Sequence, residues 1–282
     1  MLALDDLRKI GREGTLVLEY ERDDHRTVLA RSSSSSPWHL FPPIYLDESG
    51  CAYTLLVNPS GGMVGGDSLS VQATLGPRTH VLVSTPSANR VYRSLSESAV
   101  QKIDLDVGTD AVLEWMPDPT IPFAGAQFQQ VVHVNMQPGS TLLFWDILAS
   151  GRIASGERWS FTSVKNEILI RTASGSVHER YRLTPEVEGV GLAQDWNYVA
   201  SVYLLSERTP AAAWDRLAAR IGEILDDMSE RGLAGVSFLA VPGLAVKVLA
   251  QSAAELHCLL EPVWAAARAE MLGLPAVHLR KY

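Results

Sequence analysis

The segment NPSGGMVGGDSLS (58–70) places Gly61, Gly62, Gly65 and Gly66 within six positions and follows them with Asp67. Gly61 and Gly66 have the separation of a GxxxxGK[ST] phosphate loop. In such a loop a lysine follows the second glycine and a helix N-terminus faces the phosphates. Here Asp67 stands in the lysine's place and a strand pattern follows, so the carboxylate would repel a phosphate. Two readings remain. One is a tight strand-to-strand corner where only glycine tolerates positive φ. The other is a close-approach loop that presents Asp67 to a partner or a polar channel. A second segment, STPSANRVYRS (84–94), carries Arg90, Tyr92 and Arg93 among small polar residues. These could clamp an anion or a partner carboxylate, or be ordinary cations on a strand edge. A third, FWDILASGRIASGERW (144–159), holds Asp146, Arg152, Glu157 and Arg158 around two glycines. Asp146 follows Phe144 and Trp145 inside an apolar strand pattern, which leaves it either buried and paired or pointed into a cavity.

Other chemistry is excluded by spacing and composition. The 7 histidines form no HxxxH, HExxH or HxH motif, so no metal site is encoded locally, although distant ligands could converge. His178 and Glu179 are adjacent, but neighbours on a strand face opposite sides. GxSxG is absent, and Ser155 has no nucleophile-elbow surroundings. Cys51 and Cys258 lie far apart and outside any CxxC frame, which excludes a zinc ribbon, an Fe–S site and a disulfide scaffold. The net charge of −8 argues against a general nucleic-acid binder, which needs a basic surface. The start, MLALDDLRKIGREG, carries Asp5, Asp6 and Glu13 with no apolar core region, and no run reaches the ~18 apolar residues of a membrane span. A cytoplasmic protein without membrane contact, and not an enzyme, is the expectation.

The elements that would position these residues are mostly strands. Period-2 segments run through TLVLEY (15–20), RTVLAR (26–31), AYTLLV (52–57), DSLSVQATL (67–75) and THVLVSTP (79–86). They continue through AVQKIDLDV (99–107), AVLEWM (111–116), QQVVHVNM (129–136), STLLFWDIL (140–148), SVKNEILIR (163–171) and SVHERYRL (176–183), with turn signals between them. Val71, Ala73 and Leu75 share a face. On the next strand Leu82 opposes Val81 and Val83, so both faces of that strand are covered and the β structure is layered. After a β-rich region over 10–205, Trp214, Leu217, Ile221, Leu225 and Met228 predict a helix over 210–231 that stops at Gly232. A hairpin over 235–250 turning at Pro242-Gly243, a helix over 252–272 bent at Pro262 and an extended tail over 274–282 complete the reading. Ser32–Ser36 is the only low-complexity run. No linker divides the chain, which reads as a single domain over 1–282.

Four motifs, NPSGGMVGGDSL, TPSANRVYRS, LEWMPDPTIPFAGA and WDILASGRIASGE, occur in the order and at the intervals of the urease accessory protein UreD (UreH) family, which the chain resembles over nearly its whole length. Its ending, GLPAVHLRKY, is similar to the family's closing GxPAVxPRxW. The resemblance implies a mainly β fold: a single elongated, β-helix-like stack of strands with two C-terminal α-helices. It also implies a non-enzymatic role, docking on apo-urease with UreF and the GTPase UreG to assist nickel delivery and active-site assembly. No cofactor would be tightly bound; nickel would pass transiently through a polar tunnel. Carried over by motif, Asp67, Asp146 and Glu179 are the candidate tunnel or docking carboxylates, since exchangeable oxygen ligation lets an ion leave. Asn58, Gly61, Gly62, Gly65, Gly66, Arg90, Tyr92, Arg93, Arg152 and Glu157 are the candidate partner-facing or structural residues. The chain departs from the family pattern at Asn58-Pro59-Ser60-Gly61-Gly62 (usually His-Pro-Pro-Gly-Gly), at Pro119 and Ala124 (where a carboxylate is common) and at Ser87 (usually Gly). A diverged structural adaptor, and an enzyme with a pocket at the Gly61–Asp67 corner, are the alternatives.

Overall fold

Three successive turns carry the chain from one sheet to another and set the architecture. β5 (Ser68–Leu75) leads through Gly76-Pro77 to β6 (His80–Ser84), β8 (Ala99–Val107) through Gly108 to β9 (Val112–Met116), and β11 (Gln127–Met136) through Pro138-Gly139 to β12 (Thr141–Ala149). The turns stack: the Gly108 N–H donates to Leu75 O at 2.9 Å and the Gln137 N–H to Val107 O at 2.9 Å. A Cβ on Gly108 would lie 2.4 Å from Leu75 O, so the residue there must be glycine. The chain returns through longer corners over 58–67, 85–98, 117–126 and 150–162, which contain the short strands β7 (Asn89–Val91) and β10 (Thr120–Pro122). The result is a stack of parallel coils, each giving one strand to each sheet, as the family resemblance implies.

In this computed structural model, residues 12–185, 189 and 191–279 are described. The first sheet has 7 strands in the order β14-β13-β11-β8-β5-β1-β2, with β1 (Glu13–Asp23), β2 (Arg26–Ser34), β13 (Ser163–Thr172) and β14 (Gly175–Leu183) completing it. The second runs β16-β17-β15-β12-β9-β6-β4-β3, with β3 (His39–Leu40), β4 (Ala52–Val57), β15 (Tyr198–Ser206), β16 (Gly232–Phe238) and β17 (Gly243–Ala250). Between the sheets lies one core, to which Leu18, Val71, Leu105, Val132 and Ile168 contribute from the first and Val81, Val83, Leu113 and Phe144 from the second. The outer face of the second sheet is also apolar and is covered by α1 (Ala211–Asp227) and α2 (Ala253–Ala267). All of β6 is buried: Val81 and Val83 face the first sheet and Leu82 the helices, as the alternation predicted. No described helix is long and apolar enough to cross a membrane.

Several boundaries differ from the sequence reading. The first helix ends at Asp227, not 231, and Gly232 is not its stop but the first residue of β16. Glycine is required there because a Cβ would lie 2.4 Å from Leu249 O and 2.8 Å from Leu259 Cδ1. Gly243 likewise belongs to β17 rather than to the hairpin turn, which occupies 239–242; its Cβ would lie 2.4 Å from Leu204 O. The hairpin also begins earlier than 235, at Gly232. The last helix is α-helical only over Ala253–Ala267, with Ser252 capping the Glu255 N–H. Pro262 lies inside it, and the geometry turns π-helical over Arg268–Leu272. The start up to residue 11 and the last three residues of the tail fall outside the described residues.

Gly243→Ala should therefore lower stability by about 1–3 kcal/mol through backbone overpacking. Gly235→Ala on β16, where a Cβ meets nothing within 4 Å, should be near neutral. Urea denaturation of the two variants checks the contrast.

Candidate functional site

A row of polar side chains crosses the stack between the two sheets. On the first sheet, strand register aligns Gln101 of β8 with Gln130 of β11, Gln130 with Asn166 of β13, and Asn166 with Tyr181 of β14. On the second, Asp146 of β12 pairs with Ser201 of β15, and Ser201 with Lys247 of β17. The rows face each other and join at Asp146. Gln130 Nε2 donates to Asp146 Oδ1 at 2.8 Å and to Asn166 Oδ1 at 3.1 Å, while Asn166 Nδ2 donates to Asp146 Oδ2 at 2.8 Å. At the far end Glu179 accepts from Ser201 Oγ at 2.9 Å and from Tyr203 Oη at 2.6 Å. Lys247 Nζ ion-pairs with Glu179 and donates to Ser201 Oγ at 2.7 Å.

Burial governs the electrostatics of the row. Desolvation raises the Asp146 pKa above the ordinary carboxylate value, with the two amides and Lys247 pulling against it. Desolvation likewise pushes Lys247 down to about 8, opposed by Asp146, and Tyr203 up to about 12. Asp146 nevertheless keeps some accessible surface, because it lines a cavity of about 100 Å³ between the sheets. That cavity is walled by Ile103, Trp115, Val132 and Phe144, carries Gln101 and Gln130, and reaches Asn58, Gly61 and Gly62 at the glycine corner.

The corner has the backbone that its glycines predict: Gly61, Gly62 and Gly66 sit at φ 82°, 151° and 89°. Gly62 and Gly65 pass so close to Arg90 O and Glu97 O that a Cβ would lie at 2.5 and 2.6 Å. Tyr92 Oη donates to Gly61 O at 3.2 Å, the Tyr92 ring meets Phe123 edge-on at 4.9 Å, and the Arg152 guanidinium lies 4.5 Å from the Phe123 centroid while pairing with Glu157. The motif residues of four different corners thus form one contact chain. Asp67 is buried and accepts the Val64 N–H at 2.8 Å, capping its own turn; Asn58 accepts the Ser60 N–H in the same manner. Arg90 and Arg93 are exposed, with Arg90 at the cavity rim and Arg93 packed on Gly125. Of the three candidate carboxylates, Asp146 and Glu179 join the same row. Asp67 instead bonds within its own turn.

Over residues 12–281 the chain matches the family profile of the UreD urease accessory protein. It belongs to the UreD family. The urease accessory protein UreD of Acaryochloris marina is 42% identical over 146 residues, 52% of this chain and 51% of that protein. Those of Polynucleobacter asymbioticus and Haloarcula marismortui are 28% and 29% identical over 272 and 280 residues, covering 94% and 96% of this chain and 91% of each relative.

This UreD-family chain holds a second buried charged group that its sequence motifs did not single out. Glu114 of β9 is wholly buried; its Oε1 lies 2.7 Å from His80 Nε2, and its Oε2 accepts the Trp264 Nε1–H at 2.6 Å. Arg268, 1% exposed, places Nε 3.7 Å from Glu114 and a terminal nitrogen 3.5 Å from Asp47. The ligand atoms of Cys51, His80 and Glu114 lie within 4.8 Å of one another. A cation there would have to displace both donors on Glu114 and face the guanidinium, so the arrangement works as a tether of the C-terminal helix to the sheet. Its signal was present in the sequence: Glu114 interrupts AVLEWM as Asp146 interrupts FWDIL, and Lys247 interrupts LAVKVLA.

Two predictions follow from the contrast between these acids. Glu114→Gln leaves Arg268 without its buried anion and should lower stability by about 3–5 kcal/mol in denaturant titration. Asp146→Asn should act oppositely. An acid whose folded pKa exceeds its unfolded one binds its proton more tightly when folded, so wild-type stability falls as pH rises through the carboxylate range. The variant should match the wild type in acid and be the more stable at neutral pH. Denaturant midpoints across that range would reveal the divergence, and parallel curves would refute it.

Proposed function

We propose that this protein is a scaffold and nickel-handling component of urease maturation. It docks on apo-urease together with UreF-like and UreG-like accessory proteins in the cytoplasm, and passes nickel along the polar row between its sheets. It is not itself an enzyme, holds no tightly bound cofactor, and engages neither nucleic acid nor membrane. The observation that carries this reading is Asp146: a carboxylate kept in an apolar-walled cavity against a desolvation penalty, held by two neutral amides rather than by a cation. A purely structural acid is better served by the arrangement around Glu114, where buried donors close on both oxygens. Side-chain oxygens and amides dominate the row, and such hard, weak ligands suit a divalent ion that must leave again. The contacts that join Gly61, Tyr92, Phe123 and Arg152 tie four corners together beside the cavity, a surface on which partners can dock.

The test is co-expression of Asp146→Asn with urease and the other accessory proteins. Complex assembly in a pull-down should be unchanged. The nickel content of urease should fall about tenfold or more at a fixed time, as a barrier raised by about 1.4 kcal/mol slows transfer tenfold. Full nickel loading by the variant would overturn the path and leave the adaptor reading in its place.

A further inference from the structure

Lys247 is the one charged residue of β17 (GLAVKVLA). Leu244, Val246, Val248 and Ala250 face the helices, whereas Ala245 and Lys247 face the space between the sheets. An inward lysine can discourage strand pairing at a sheet edge. That explanation fails here, because β16 lies outside β17 and forms the edge. What the ammonium does contact is a nest of oxygens from two elements: the Glu179 carboxylate of β14, and Ser201 Oγ and Tyr203 Oη of β15 at 2.7 and 3.2 Å. These oxygens already converge without it, since Ser201 and Tyr203 each donate to Glu179. One carboxylate and two hydroxyls gathered round a single point form the ligand set of a hard cation.

We propose that Lys247 is a tethered counter-cation: its ammonium fills a divalent-cation site made by Glu179, Ser201 and Tyr203 at the end of the polar row, and swings out when a metal ion takes its place. This deepens, and rests on, the reading of that row as a nickel path, and gives the path a gate. The side chain has the freedom to do so. It is 52% exposed, while the Glu179 side chain it meets is 18% exposed, so the cation can leave for solvent while the oxygens stay. The site's charge is set by Glu179, by Asp146 one strand further in, and by the Tyr203 and Tyr181 phenols held neutral by burial. With the ammonium in place the nest is charge-balanced and repels a second cation; with it gone the nest is anionic. A site of this kind admits nickel only in exchange for lysine, which keeps it from retaining its cargo.

The experiment is Ni²⁺ titration of the untagged full chain by calorimetry. Lys247→Met should bind one Ni²⁺ at least about tenfold more tightly than wild type, because a like charge within contact distance has been removed. Adding Glu179→Gln to Lys247→Met should abolish the gain. Lys247→Gln, which keeps a polar end, should show the same tightening and serves if the methionine variant does not fold. Unchanged affinity in a folded Lys247 variant, or tightening that survives Glu179→Gln, would overturn the assignment. Neither result bears on the path itself, which stands or falls with the urease nickel content of Asp146→Asn.

Discussion

Parallel register between successive coils is the constraint on which the rest of the molecule depends. In a parallel ladder, equivalent positions on neighbouring strands stack about 4.8 Å apart, so one inward position repeated from coil to coil becomes a continuous row. Here that position is filled by Gln101, Gln130 and Asn166 on three adjacent strands, ending at Tyr181 on the antiparallel fourth. The rows on either side, Ala99–Phe128–Val164 and Ile103–Val132–Ile168, are apolar and buried. A slip of one residue in any coil would turn its amide outward and bury the neighbouring exterior residue. The stacked glycine turns at Gly108 and Gly139 hold that register, since each donates to or packs against the coil beside it.

Two buried carboxylates occupy this frame under opposite terms. Glu114 sits wholly buried on the outer face of the second sheet, where His80, Trp264 and Arg268 surround it. The energy of that set derives from neighbours that are themselves buried, so it binds α2 and the π-helical turn to the sheet. Asp146 sits on the inner face of the same sheet. Its two partners are neutral amides, and its remaining surface opens to a cavity. A group placed so is destabilised in its charged form and available to a ligand. The same sheet therefore carries a closed ionic tether on one face and an open polar row on the other, a separation possible only because both faces are covered.

The strands were legible in the sequence because period-2 alternation survives wherever one face is buried. Eleven segments from TLVLEY to SVHERYRL match described strands to within a few residues, and both helices were legible from their apolar spacing. Gly232 and Gly243 were misread because their reason is tertiary: the carbonyls of Leu249 and Leu204 that forbid a Cβ belong to partners remote in sequence. Asp146 was legible as an internal charge and Glu179 only through the family resemblance; the amides that receive Asp146 were not legible, since glutamine and asparagine are ordinary on a solvated face and only register shows that Gln130 and Asn166 turn inward. The turn-capping role of Asp67 depends on a bond to Val64 three residues earlier, which neither its type nor its glycine neighbours specify.

The distribution of ligand types differs between the two faces. Sulfur and imidazole bind borderline transition ions more strongly than amide or hydroxyl oxygen does. Within the described residues the one place where Cys, His and Glu converge is the sealed group of Cys51, His80 and Glu114, where a guanidinium stands beside the acid and burial holds the Cys51 thiol protonated well above its ordinary range. The open row has no sulfur and no imidazole; it offers neutral amides, hydroxyls and two carboxylates, one of them already balanced by Lys247. Conduction requires binding favourable enough to enter and weak enough to leave. A chain that places its strong ligands out of reach and its weak ones on the cavity has the ligand distribution that the proposed path calls for.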